Sequence, residues 1–353
     1  MEIEAKLRKI FSGAKINLLL IKNSDEQDPN FKYLTGFTSG TFEDNFLIAS
    51  RKKVSVLTSE LEYETALSQA KEGVEVINAL GSKKDFKKAI SVIKGKSIGV
   101  NGNFLSFNDY NKIKKFKPSK IIDVSENLIK ARLVKSAEEI ANIRKAVSIT
   151  KFAIREVQKS IKAGMTELEV AAQVDFIMKS LGASGNSFDT IVAFGKNTAL
   201  PHHMPDETKL NNGDLVLIDT GAKYNNYCAD ITRTFVYGKS NKRAEEMIKF
   251  VKRVQLMAIH MLKPGVDAYA VEKNIRKYID SYKGGVYKGK FIHALGHGIG
   301  LEVHDASVFG NTPYRKIKKG MTLAVEPGIY LVGFGGVRIE DDVLIDKNGA
   351  IVL

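Results

Sequence analysis

The sequence predicts a two-domain protein of mixed α/β (α+β) class, with an α/β domain over residues 1–124 followed by a larger domain over 125–353. Three observations lead there. Short apolar runs alternate with helical patterns as far as Val124, and long, well-capped helices follow. In the second part, carboxylates close apolar runs at positions where an isolated charge is costly, and all six histidines lie beyond residue 200.

In chain order, MEIEAKLRKIF reads as a charged amphipathic helix and lacks the features of a signal peptide. Residues 16–21, 45–49, 54–58, 74–78 and 97–100 read as strands. Ser59 and Glu62 have the spacing of a capping box that opens a helix over 61–71, and 84–94 and 107–116 are also helical. This first domain contains neither histidine nor a glycine-rich phosphate loop, so it reads as a structural or substrate-gating unit without a nucleotide site. Ser136 with Glu139 caps a helix that runs to about Lys162, and Thr166 with Glu169 caps the next, which Gly182 ends. A strand near 190–194 precedes two more, 215–220 and 228–236, joined into a hairpin through Gly221, Asn225 and Asn226. Helices over 242–262 and 269–281 flank a Pro264–Gly265 break, and strands and loops fill the remainder from Phe291. Two hairpin-and-helix-pair segments in succession hint at an internal repeat.

With 353 residues, 44% hydrophobic and 27% charged, the composition is that of an ordinary soluble protein with room for two cores. No apolar run approaches the roughly 20 residues needed to cross a bilayer, so no membrane association is expected. The single cysteine, Cys228, excludes an internal disulfide framework and a cysteine-rich zinc site, and it fits a reducing, cytoplasmic setting. The net charge of +14 comes mostly from lysines spread through helices, without the interleaved aromatics of a single-strand binder; no nucleic-acid partner is expected.

The chemistry concentrates in a few places. Asp219 ends the run Leu215, Val216, Leu217, Ile218, and Asp230 sits between Cys228 and Ile231, so a hairpin would bring two buried carboxylates together. Five histidines lie in two short stretches, His202 with His203, and His293, His297 and His304. Glycines at 296, 298 and 300 surround His297, which suggests close approach of a metal or substrate. Glu326 and Glu340 again close apolar runs. One imidazole and four carboxylates exceed what one divalent ion ordinarily draws from a protein, whereas two adjacent ions sharing carboxylates would use them all. An oxygen-rich set without thiolates suits Mn²⁺, Co²⁺, Fe²⁺ or Zn²⁺. The competing account is that some of these acids are salt-bridged to Arg233, Arg338 or lysines.

The strings LIDTGAKYNNYCADITRTF, HALGHGIGLEVHD, VEPGIY and GGVRIEDD, with YLTGF and SELEYE in the first domain, resemble the proline-specific metallopeptidases of the pita-bread fold. That family includes Xaa-Pro dipeptidase (prolidase) and Xaa-Pro aminopeptidase, with methionine aminopeptidase and creatinase more distant. The resemblance implies a creatinase-like N-terminal α/β domain, a pita-bread catalytic domain, two divalent ions and a homodimer. It places Asp219 on one ion, Asp230 and Glu340 between the two, and His297 with Glu326 on the other. It further implies that Glu326 shuttles a proton and that His202 and His304 hydrogen-bond substrate and the tetrahedral intermediate, while His293 lines the pocket and Arg338 orients a carboxylate. His203 matches no functional position. The implied reaction is hydrolysis of the bond between an N-terminal residue and proline, in dipeptides, or in longer peptides for an aminopeptidase. A non-catalytic peptide- or protein-binding module is the remote alternative. The sequence departs from the prolidase pattern after His304: Asp305 keeps an acid, but Val308 stands where an arginine would hold the dipeptide's carboxylate, and Arg315, Lys316 and Lys318 are the candidates to replace it.

Overall fold

The structure, a computed structural model, describes residues 2–24 and 26–353 and divides into two compact units between Arg132 and Leu133. The first comprises α1 (Glu2–Phe11), β1 (Leu18–Lys22), α2 (Pro29–Thr35), β2 (Phe46–Ala49), β3 (Val54–Thr58), α3 (Glu60–Gln69), β4 (Val74–Asn78), α4 (Lys83–Ile90), β5 (Ser97–Val100), α5 (Phe107–Lys114), β6 (Lys120–Asp123) and α6 (Ser125–Leu133). Its six strands form one sheet in the order β4-β3-β2-β1-β5-β6, with β2 antiparallel to both neighbours and the other pairs parallel. The division falls later than the expected 124/125 because α6 is tied to the first unit. There Asn127 Nδ2 donates to the carbonyls of Ile10 and Ser12 at 3.3 and 3.0 Å.

Three elements of this unit escaped the sequence reading, α2, the edge strand β6 and α6. The first had a readable signal: Asp28 caps it, Pro29 opens it, and Gly36 closes it at φ 73°. The capping box expected at Ser59 is absent. Ser59 makes no side-chain cap, and Glu62 instead accepts from the Thr41 hydroxyl at 2.8 Å and its N–H at 3.2 Å.

The second unit contains α7 (Ala137–Ser160), α8 (Glu167–Ser180), β7 (Gly185–Asn186), β8 (Ile191–Phe194), β9 (Leu215–Thr220), β10 (Ala222–Tyr224), β11 (Tyr227–Cys228), β12 (Ile231–Val236), α9 (Lys242–Met261), α10 (Ala268–Ser281), β13 (Gly296–Gly298), β14 (Thr322–Val325), β15 (Gly328–Leu331), β16 (Gly335–Arg338), β17 (Asp341–Asp346) and β18 (Gly349–Val352). Both expected capping boxes form, Ser136 with Glu139 and Thr166 with Glu169. The strands make an antiparallel sheet β12-β9-β8, a second sheet β13-β14-β17-β18, a small sheet β11-β10-β7 and the ribbon β15-β16. The two main sheets meet where Glu340 N–H donates to Thr232 O at 3.1 Å and the Thr234 hydroxyl donates to Arg338 O at 2.8 Å.

The hairpin predicted over 215–236 forms, but each of its arms is bent into two strands. Asn225 and Asn226, at φ 45° and 70°, turn β10 into β11 in the small sheet; the chain then crosses back, so that β12 pairs with β9 and Thr232 lies opposite Asp219. Residues 228–236 are therefore two strands, with Asp230 in the break. The corner is tight at Gly221, where an added Cβ would stand 1.7 Å from the Ala229 carbonyl oxygen. Replacing Gly221 by alanine must push these two backbones apart. Gly221→Ala is expected to destabilise the protein by about 1–3 kcal/mol in urea unfolding, the usual cost of overpacking; a change below about 0.5 kcal/mol would mean that the corner yields freely.

Candidate metal centre

Each predicted ligand sits where a strand ends or two strands pass. Asp219 is the penultimate residue of β9, Asp230 precedes β12, His297 centres β13, Glu326 follows β14, and Glu340 links β16 to β17. Bonds from backbone N–H groups fix three of these positions: Asp230 N–H donates to Asp342 Oδ2 at 2.9 Å, Glu326 N–H to Leu295 O at 2.9 Å, and Glu340 N–H to Thr232 O. Ligand atoms of Asp230, His297 and Glu340 lie within 4.8 Å of one another, and His297 Nε2 is 3.6 Å from Glu326 Oε1. Asp219 enters from the facing strand, its Oδ2 held at 2.5 Å by Arg338 Nη2.

The imidazole of His297 explains what these distances mean. Its Nδ1 faces the carbonyl of Gly298 at 3.2 Å, and a carbonyl can only accept, so Nδ1 carries a proton. That orientation turns Nε2 towards Asp230 Oδ2 at 3.5 Å and Glu326 Oε1 at 3.6 Å. A ring nitrogen and two carboxylates converging at these distances need positive charge among them, which a proton or a metal ion supplies. Buried oxygens of Asp219, Asp230 and Glu340 also have no hydrogen-bond partner among the described residues, a costly state that metal ligation would relieve. The donor set therefore fits divalent ions.

The electrostatics agree. Burial, reinforced by Asp219 and Asp342, pushes the Asp230 carboxyl well above the usual range, and burial with Asp230, Glu326 and Asp219 does the same to Glu340. Burial raises Glu326 to about 6, against the pull of His297 and Arg338. Burial lowers His304 to about 4, with His297 beside it at a ring separation of 4.2 Å, and lowers His293 to about 4 as well. Both imidazoles are neutral at pH 7.

Arg338 is 3% exposed and directs its donors inward: to Asp219, to Tyr330 OH at 2.8 Å, to the Thr232 hydroxyl at 3.2 Å and to Pro201 O at 3.3 Å. Tyr330 OH in turn meets His293 Nε2 at 2.9 Å, while His293 Nδ1 faces Ala294 O at 2.8 Å. His202 is exposed. His203 stands apart on Glu167, at 2.6 Å.

Residues 141–347 match the profile of metallopeptidase family M24, and residues 5–134 match the creatinase/prolidase N-terminal domain. The chain belongs to metallopeptidase family M24. Among its relatives is a Xaa-Pro dipeptidase from Pyrococcus furiosus, 37% identical over 91% of this chain and 89% of that protein. A prolidase structure from Pyrococcus horikoshii superposes with a TM-score of 0.87 at 33% identity, covering 100% of this chain and 97% of that one. An X-Pro aminopeptidase structure from Thermotoga maritima does so with 0.87 at 31%, covering 98% and 97%.

Three readings of the sequence need revision in this M24 metallopeptidase. The glycines around His297 make room for protein: a Cβ on Gly296 would meet Ala324 O at 2.0 Å, one on Gly298 would meet Ala306 O at 3.2 Å, and one on Gly300 would meet Asp305 Oδ2 at 2.6 Å. Of the expected ion pairs with the candidate ligands, Arg338 does hold Asp219, but Arg233 pairs with Asp341 at 2.6 Å and reaches Glu340 only through its backbone carbonyl, at 2.5 Å. Arg315, a candidate carboxylate clamp, is engaged by Asp267 at 3.1 Å and Asn311 at 2.5 Å. Sequence reasoning missed Asp342, Thr232, Tyr330 and the buried pair Lys135–Asp305 at 2.9 Å, which anchors the residue after His304. Asp342 alone had a local signal, as the last acid of the run 340–342.

The raised carboxyls make metal binding and stability pH-linked. Without metal, each contributes its full stability only below the unfolded pKa, about 4, and loses it as pH climbs through about 6 for Glu326 and about 8 for Asp342. Metal-stripped protein should therefore lose thermal stability between about pH 4 and pH 8, and added Mn²⁺ should raise Tm more at pH 8 than at pH 5. A gain in Tm that is flat across this range would place the ion elsewhere.

Proposed function

We propose that this metallopeptidase is a dinuclear exopeptidase that hydrolyses the bond between an N-terminal residue and proline, in dipeptides. The observation that carries the reading is the convergence of His297 Nε2 with Asp230, Glu340 and Glu326 amid buried, unpartnered carboxylate oxygens. Relatives named Xaa-Pro dipeptidase and prolidase, similar over nearly the whole chain, support the substrate class.

Asp219, Asp230 and Glu340 would hold one divalent ion, and Asp230, Glu340, His297 and Glu326 the other, with Mn²⁺, Co²⁺, Zn²⁺ or Fe²⁺ as candidates. When bound, such ions polarise a carbonyl and lower the pKa of water towards neutrality. Glu326 takes the proton of the attacking water and returns it to the departing proline nitrogen. His304, neutral at pH 7, and His202 donate N–H groups to the oxyanion that develops on the scissile carbonyl, at no cost in like-charge repulsion. Arg338 acts chiefly by orienting Asp219 and Tyr330, and His293, fixed by Tyr330 and Ala294, lines the pocket. A cytoplasmic homodimer completes the proposal, resting on the resemblance and on the single cysteine. Among the described residues no helix is long and apolar enough to cross a membrane.

One observation favours the aminopeptidase reading. Val308 is fully buried, and Arg315 is committed to Asp267, so neither marks a closed product end for a dipeptide's carboxylate.

The test is hydrolysis of Met-Pro, Met-Pro-Gly and Met-Ala by metal-stripped protein, with and without Mn²⁺, Co²⁺ or Zn²⁺. Metal-dependent cleavage of Met-Pro alone is the expected result; cleavage of Met-Pro-Gly as well would move the assignment to aminopeptidase, and silence towards all three would end the proline-peptidase reading. Asp219→Asn should lower kcat/KM at least about 100-fold. Peptide binding without turnover in both proteins would instead support a binding module.

A further inference from the structure

His203 has no part in the chemistry proposed above, yet it makes one of the shortest hydrogen bonds to a buried carboxylate in the protein. Glu167, the first residue of α8, is 0% exposed, and such a charge persists only when fully compensated. Four donors reach it: Phe194 N–H at 2.7 Å and Asn197 Nδ2 at 3.0 Å on Oε1, His203 Nε2 at 2.6 Å and Asp206 N–H at 3.2 Å on Oε2. All four come from residues 194–206, the segment that carries Pro201 and His202. The carboxylate thus ties both ends of that segment to one helix terminus.

The middle of the segment is tied to the metal centre. Pro201 O accepts from Arg338 Nη2, and Gly336 N–H donates to the Thr198 hydroxyl at 2.8 Å. A Cβ on Gly336 would stand 2.2 Å from Thr198 O, so strand and segment touch backbone to backbone. His202 itself is exposed, and among the described residues no group hydrogen-bonds its imidazole. Its placement therefore depends on the backbone that bears it.

We propose that Glu167 and His203 are positioning residues for His202, a hydrogen-bonded hub that holds the 194–206 segment in register over the metal centre. The inference rests on the Xaa-Pro peptidase reading and on the substrate contact assigned there to His202. Glu167, His203 and Asp206 also lie close enough together to suggest a further cation site. The four donors already on Glu167 argue for a hub, since a cation would have to displace them.

The test compares metal-loaded wild type, His203→Ala, His203→Gln and Glu167→Gln on Met-Pro, with metal content and Tm measured for each. His203→Gln keeps an N–H near the position of Nε2. Misplacing His202 by about 1 Å should lower kcat/KM roughly 10- to 100-fold in His203→Ala and Glu167→Gln, with metal content unchanged. His203→Gln should recover most of the loss. In a His202→Ala background, His203→Ala should cost less than about twofold more. An undiminished loss in that background, a lowered Tm with wild-type kcat/KM, or loss of one bound ion per chain in Glu167→Gln would each overturn the proposal. If Glu167→Gln does not fold, the two His203 variants decide alone. A wild type silent towards Met-Pro would remove the peptidase reading and this inference together, whereas an active wild type with an indifferent His203→Ala would remove the inference only.

Discussion

The constraint on which the second unit depends is the mutual repulsion of acids gathered where water cannot screen them. Asp219, Asp230, Glu326, Glu340 and Asp342 share one buried region, and burial leads the causes that raise four of their carboxyls. Among the described residues, one Arg or Lys side chain, Arg338, reaches a carboxylate of the set, that of Asp219. Left to themselves these side chains would separate. Rigid backbone holds them: β9 and β12 are paired along their whole length, and Glu340 is bound to Thr232 through both its N–H and, at 2.6 Å, its carboxylate. The fold thus maintains a region of negative potential that a dication relieves more effectively than any single side chain.

How much of this could be read from the sequence depended on the range of the interaction. Strands β3, β4 and β5 were placed correctly because each is a short run rich in Val and Ile between turn or charged residues. Capping boxes at Ser136 and Thr166 form because one carboxylate oxygen of Glu139 and of Glu169 stays on the N-cap N–H, even with Tyr227 on the other oxygen of Glu139, while at Ser59 the turn at Thr41 claims Glu62 from 21 residues away. The hairpin over 215–236 was legible, but the break of its second arm at Asp230 was not, since that residue is held by Asp342, which lies 112 residues further on. Single acids closing apolar runs were legible since an unpaired charge there is costly wherever the chain goes. Their supports, Thr232, Tyr330 and Lys135, carry no local signal and become visible only in three dimensions.

The same limit applies to specificity. Chemistry at the metal centre needs only the converging acids and imidazoles, which short strings record. Discrimination between dipeptides and longer peptides depends on what closes the product side, and Arg315 shows how a cation of suitable position in sequence is spent elsewhere, on Asp267 and Asn311. A sequence reading that counts charges near a site overestimates how many of them face it.

The histidines make the point at the level of single atoms. His293 and His297 each turn Nδ1 to the carbonyl of the next residue, Ala294 and Gly298 respectively, so Nε2 is the nitrogen each presents. For His293 it meets the hydroxyl of Tyr330 and is satisfied as an acceptor; for His297 it meets two carboxylates and calls for positive charge among them. His203 does the reverse, giving its Nε2 proton to Glu167. One residue type, with its ring turned by the backbone in two cases and by a buried acid in the third, thus suits the three roles proposed for it, a pocket wall, a metal ligand and a brace. The difference lies in what each Nε2 faces, which is decided by strands and loops far away in the chain.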